Sequence, residues 1–139
     1  MTLPENLETE VKRVNKTGYF THPDCRKHEM GRGHPECPER LDAIEDRLLI
    51  SGVGDVLDRR EAPMAPLVDI ELAHSRTHVY AIRGMSDSLR EDMQAGGPSH
   101  VYVDPDTALN ASSWDALLRA SGAALAATDA VMAGELENA

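Results

Sequence analysis

Apolar positions recur with helical spacing at three places along the chain. Leu41, Ile44 and Leu48 share one face, with Asp42, Glu45 and Asp46 on the other side. That spacing predicts a helix from about Glu36 to Ile50, with Pro38 in its first turn and Gly52 as its stop. Val79, Ile82 and Leu89 predict a second helix behind Ser75 as its cap. A shorter helix, Ile70 to Ala73, is expected behind Asp69. The clearest pattern is the last. Trp114, Leu117, Leu118, Leu125, Val131 and Met132 recur at helical spacing, behind a capping-box pattern at Ser112 and Asp115. Ala120, Gly122, Ala123, Ala124, Ala126 and Ala127 leave that helix surfaces on which another element can sit close, and Gly134 ends it. Strands are expected at Thr17 to Thr21 and Val56 to Glu61. Residues 91–110, with Gly96-Gly97-Pro98 and Asp104-Pro105, read as a long loop without a helix. Residues 1–16 read as a polar tail.

The alternation of strand and helix predicts α/β layering. Helices exceed sheet, however. Two or three short strands do not make a stable parallel sheet, which is normally covered on both faces.

Four clusters could carry chemistry. Cys25-x2-His28-x5-His34-x2-Cys37 offers two thiolates and two imidazoles, a tetrahedral zinc set. The gap between its pairs is short, and its plain alternative is a polar loop with two free cysteines. His74 and His78 could share a metal. Ser75 stands where the metalloprotease motif needs glutamate, and the plain alternative is two histidines at a helix start. Arg40, in the first helical turn, is poorly placed for the helix dipole. It is therefore expected to hold a carboxylate, a carbonyl or an anion, or to form an exposed salt bridge. Asp104 and Asp106, with Asp87, Glu91 and Asp92 upstream, could do acid–base work or bind a cation, or could simply shape a turn. No nucleophile elbow, phosphate loop or dinucleotide fingerprint occurs.

Composition narrows the partners. The formal net charge is -10, with 24 acidic residues against 14 basic ones and no basic run, which argues against nucleic acid. Hydrophobic residues make up 41% of the chain and only five residues are aromatic, so the core must be mainly aliphatic. No stretch is apolar enough to span a membrane, and two cysteines do not make a disulfide scaffold. The first residues lack an apolar run of signal-peptide type, so a cytoplasmic location is expected.

Several segments together resemble one family. They are Thr17-Gly18-Tyr19-Phe20-Thr21-His22-Pro23, His28-Glu29-Met30-Gly31-Arg32-Gly33-His34-Pro35-Glu36-Cys37-Pro38-Glu39-Arg40-Leu41, Leu72-Ala73-His74-Ser75 through His78-Val79, and Asp104-Pro105-Asp106-Thr107 with Ser113-Trp114-Asp115-Ala116-Leu117. In this order they are similar to the N-terminal part of the histone deacetylase and acetylpolyamine amidohydrolase family, in its bacterial class II-type form.

The resemblance implies the N-terminal portion of an arginase–deacetylase-type three-layer α/β/α fold, helix-rich in this piece, over residues 17–139. It implies zinc in the complete family member, and acetylated lysine or polyamine as its substrate. The family's Pro-Gly-His-His and Asp-x-His motifs do not occur in this sequence, so the resemblance assigns no catalytic residue, metal ligand or cofactor within it. What it does assign is support. Arg40 would line an internal channel, and Arg32, Gly33 and His34 would border the substrate entrance.

An inactive piece of a deacetylase is therefore expected. The alternatives are a non-enzymatic interaction module of the same descent, or a small zinc-binding domain built on Cys25, His28, His34 and Cys37. Without a covering sheet, Leu117, Leu118, Leu125 and Val131 would be left bare. Self-association, or else a loosely packed chain, is then expected.

Overall fold

The computed structural model describes residues 16–139; apart from Lys16, the polar tail expected at the N-terminus lies outside them. Strand β1 (Thr17–Thr21) runs parallel to β2 (Leu57–Glu61), in register from Thr17 opposite Leu57 to Thr21 opposite Glu61. On its other edge β1 meets residues near 138. Gly18 donates its N–H to the Asn138 carbonyl at 2.8 Å, and Thr17 and Asn138 form a parallel bridge. Among the described residues, the parallel sheet is thus two strands, with a one-residue bridge at Asn138 on the outer edge of β1.

A 3-10 turn (Pro23–Lys27) leaves β1, and a loop leads to α1 (Glu39–Ser51). The helix starts three residues later than expected. Pro38 sits before the first turn, in its cap position, because residues 34–37 are committed to a turn. In that turn the Glu36 N–H donates to His34 Nδ1 at 3.1 Å. Gly52 stops α1 as expected, at φ 73°, a left-handed conformation that favours glycine. A 3-10 turn (Val53–Val56) then takes the first residue assigned to the second strand.

The next helix, α2 (Leu67–Ile70), lies earlier than Asp69 suggested, because Pro66 supplies its start. In α3 (Arg76–Gln94), Ser75 is the cap: its hydroxyl accepts from the His78 N–H at 3.3 Å. The loop expected at 91–110 is not a loop. The helix α3 fills 91–94, an antiparallel hairpin of β3 (His100–Asp104) and β4 (Thr107–Asn110) fills 100–110, and only residues 95–99 between them are irregular.

Helix α4 (Ser113–Met132) ends at Gly134, φ 74°. Its start differs from the expected capping box, since Ser112 makes no side-chain cap. Asn110 does that work. Its Oδ1 accepts from the Ser112 N–H at 3.0 Å and from the Ser113 hydroxyl at 3.1 Å.

The core lies between α3 and α4. Val79, Trp114 and Leu118 are buried together, with Leu67, Ile70 and Ile82 packed on them. Leu118 is therefore a core residue and not an uncovered one, whereas Leu117 and Leu125 are exposed. Helix α1 buries none of its residues. On the far side, α4 crosses the segment at 62–66 at backbone contact. The Ala65 N–H donates to the Leu118 carbonyl at 2.9 Å, a bond possible only because Gly122 carries no side chain there.

Candidate functional site

The loop between β1 and α1 carries most of the chemistry, and α4 holds it in place. Arg119 reaches from α4 to Asp24 Oδ2 at 3.3 Å and to the Ala62 carbonyl at 2.9 Å, joining this loop to the end of β2. Lys27, hydrogen-bonded to Asp24, holds its carboxyl below the usual range, with His22 and Arg119 adding to the effect.

Further along, His28 is half-buried, and its Nδ1 lies 2.8 Å from the Ser113 hydroxyl. That hydroxyl also accepts from the Asn110 N–H at 2.8 Å. Asn110 Nδ2 in turn donates to the Lys27 carbonyl at 2.9 Å. Ser86, fully buried on α3, donates to the Asn110 carbonyl at 3.1 Å and accepts from the Trp114 N–H at 3.2 Å. A buried polar knot of Ser86, Asn110 and Ser113 thus joins α3, the hairpin and the start of α4 to the loop. The residue pattern does not reveal Ser86. Asn110, two residues before an N–H in need of a partner, carried a turn signal that the capping-box reading of Ser112 displaced.

A cleft of about 210 Å³ opens between this loop, the start of α1 and α4, lined by Cys25, His28, Glu36, Cys37, Arg40 and Leu117 among others. Arg40 is exposed on its wall. Among the described residues it has neither the anion partner nor the salt bridge that its place in the first turn suggested.

Arg32 and Gly33 are exposed, and Gly33, at φ 85°, sits in a conformation that glycine allows. His34 turns away from the cleft. Its Nδ1 accepts from the Glu36 N–H, so the proton sits on Nε2, 3.4 Å from Asp106 Oδ1 at the hairpin tip. Loop and hairpin tip therefore touch through His34 and Asp106.

This geometry does not assemble the four-ligand zinc set. Cys25, His28 and Cys37 share a cleft, but His34 faces Asp106, and no group of three or more possible ligands is gathered among the described residues. Burial pushes the Cys25 thiol up, the opposite of what a thiolate ligand needs. The residues present do not fit a tightly held zinc ion. The acidic cluster is dispersed as well. Asp104 Oδ1 accepts from the Asp106 N–H at 2.8 Å, which shapes the turn, while Asp87 lies 3.5 Å from both Arg83 and Arg90 on α3.

Burial also sets a pH dependence. Desolvation holds the His28 imidazolium below its ordinary range. The unfolded chain then binds that proton more readily, so stability falls as pH drops below about 6.5, the ordinary histidine value, toward the depressed folded value. His28→Gln is expected to flatten the dependence of the urea midpoint between pH 7 and 5. An unchanged slope in the variant would assign the effect to other groups.

Comparison with known proteins gives this geometry its context. The histone deacetylase domain profile matches residues 34–139. The histone deacetylase-like amidohydrolase of Pseudomonas aeruginosa is 33% identical over 107 residues, which cover 77% of this chain and 26% of the relative. The probable deacetylase of Archaeoglobus fulgidus is 31% identical over 125 residues, covering 88% of this chain and 32% of the relative. The polyamine deacetylase HDAC10 of Homo sapiens is 30% identical over 128 residues, covering 88% and 18%. The crystal structure of the HDA15 HD domain matches at TM-score 0.76 and 23% identity, over 90% of this chain and 34% of that one, which establishes an α/β fold of arginase–deacetylase type. The chain spans about a third or less of each of these proteins. With the domain profile matched over three quarters of its residues, the chain belongs to the histone deacetylase family.

Proposed function

We propose that this chain forms the N-terminal part of a zinc-dependent deacetylase, and that it supplies walls and rim without the chemistry. The observation that carries this reading is the two-stranded parallel sheet. Strands β1 and β2 pair in parallel, Thr17 and Asn138 form a parallel bridge on the other edge of β1, and the described residues set four α-helices against these two parallel strands. A parallel sheet of this size needs more strands and a cover on each face.

In this reading Arg40 lines the channel beneath the active site of the complete protein. Arg32, Gly33 and His34 border its entrance, held against the hairpin tip by Asp106. The substrate of the complete protein is an acetylated lysine or an acetylated polyamine. Zinc there would polarise the acetyl carbonyl and activate water, and no step of that chemistry passes through residues of this chain.

The 139-residue chain is expected to show no hydrolysis of acetyl-lysine peptide or acetylpolyamine with zinc added. Without an activated water the amide barrier stays close to its solution value. Turnover that vanishes on chelation would sink the reading.

The same reading makes self-association the expected state of the isolated chain. Leu49, Ile50 and Val56 near the end of α1 and Leu72 after α2 are each more than 70% exposed. Covering a large aliphatic side chain gains roughly 1.5–3 kcal/mol. Sedimentation at low micromolar concentration should find dimers or larger species. A compact monomer with a sharp thermal transition would favour an independent module instead.

A further inference from the structure

We propose that His74 and His78 form a two-imidazole site for a divalent transition-metal ion, copper(II) above nickel(II) and zinc(II), at the lip of the groove between α3, the hairpin and α4. The chain has six histidines, and four of the rings are engaged. His22 contacts Asp24 and Glu61, His28 contacts Ser113, His34 contacts Glu36 and Asp106, and His100 contacts Ser99 and Glu29. Among the described residues, the rings of His74 and His78 have no hydrogen bond or ion pair, and each is exposed. They have only each other, with ring centroids 5.3 Å apart and planes tilted by 37°.

The separation is the informative quantity. A metal bound to imidazole nitrogen at about 2.0–2.1 Å lies roughly 3.2 Å from the ring centroid. Two such rings stand about 5.2 Å apart at a tetrahedral angle and about 4.5 Å apart at the 90° of a tetragonal copper(II) site, so the 5.3 Å found without any metal suits zinc(II) as it stands and copper(II) after a small rotation of the two exposed side chains. Ordinary helical spacing does not by itself produce it. His74 precedes the cap Ser75 and belongs to the turn after α2, where its N–H bonds the Ile70 carbonyl at 3.0 Å, whereas His78 is in the first turn of α3. The ion would therefore tie the α2 turn to α3, across the cap.

Two neutral nitrogens suit late first-row ions, and affinity should follow the usual order with copper(II) highest. Water would fill the remaining positions. The net charge of -10 favours any cation. Both rings line a groove of about 350 Å³ with Ile70, Val79, Trp114 and Leu118, so the site borders the core it would stiffen.

The test is a calorimetric titration of the chain carrying Cys25→Ser and Cys37→Ser, which removes competing thiols, with copper(II), nickel(II) or zinc(II) alone. One ion per chain is expected, tightest for copper, with a paramagnetic resonance spectrum showing two nitrogen ligands. His74→Gln and His78→Gln should each weaken binding at least tenfold and abolish the rise in Tm that copper gives the parent. Both side chains are exposed, so each variant should keep its circular dichroism spectrum, and either one suffices if the other misfolds. Copper binding unchanged in both variants would place the ion elsewhere and overturn the proposal, as would no saturable binding at 100-fold excess copper.

Discussion

Gly122→Ala is expected to destabilise the chain by roughly 3 kcal/mol or more, at the upper end of what overpacking costs. A Cβ at this position would overlap the Pro63 carbonyl oxygen, and it would stand 2.8 Å from the Pro63 carbonyl carbon and 2.9 Å from the Ala65 nitrogen. All three are backbone atoms, so no rotamer change relieves the clash. To make room, α4 must lift off the segment at 62–66. That movement breaks the Ala65 N–H bond to Leu118 and loosens the Arg119 contact with the Ala62 carbonyl. It also exposes Ala62 and Ala65, both buried. At about 2–8 °C per kcal/mol, Tm should fall by roughly 10 °C or more.

Gly84→Ala provides the contrast. This glycine lies within α3, and nothing stands within 4 Å of its added Cβ. There the better helix propensity acts alone and should stabilise by up to about 1 kcal/mol. One substitution type with opposite signs at two helical glycines is the expected result of a thermal-melt comparison. Equal effects at the two sites would contradict the backbone contact at Gly122.

The second large effect is expected at Asn110. Asn110→Leu keeps the volume roughly but removes the acceptor for the Ser112 N–H and the Ser113 hydroxyl, and the donor to the Lys27 carbonyl. The Ser113 hydroxyl can still turn to His28 Nδ1, 2.8 Å away. The Ser112 N–H and the Lys27 carbonyl lose these partners. A fully buried group left unpaired costs about 1–3 kcal/mol, and these two are part-buried, so the loss should be roughly 2 kcal/mol. Asn110→Asp keeps the acceptor for the Ser112 N–H and the Ser113 hydroxyl but sets a carboxylate against the Lys27 carbonyl, so it should be intermediate. Urea midpoints for the two variants decide the matter. An Asn110→Leu protein within about 0.5 kcal/mol of the parent would show that the knot joining α3, α4 and the loop adds little.

The contrast between these positions and the ones legible in the residue order has a physical cause. Strand β1, the Ser75 cap and the stops at Gly52 and Gly134 all lie where the residue order put them. Each is a local event: a cap bonds its own first turn, and a glycine takes a left-handed φ because it has no Cβ. The family was legible too, because it rests on residue identities in order. The close approach allowed by small residues on α4 was foreseen as a surface, with Gly122 among several candidates.

Tertiary structure decided the rest. The hairpin at 100–110 was hidden because its strands are short and its turn residues, Asp104-Pro105, read equally well as loop. The start of α4 went to Asn110 over Ser112 because Asn110 is held from its other side by the Lys27 carbonyl, 83 residues away. His34 left the cysteines for Asp106, 72 residues distant, and the zinc set dissolved with it. Leu118 entered the core while Leu117 beside it stayed exposed, because α3 and the hairpin cover only one face of α4. Spacing along a chain fixes which side chains share a face. Which face is covered, and which polar group finds its partner, depends on elements brought in from far along the sequence, where no local period reaches.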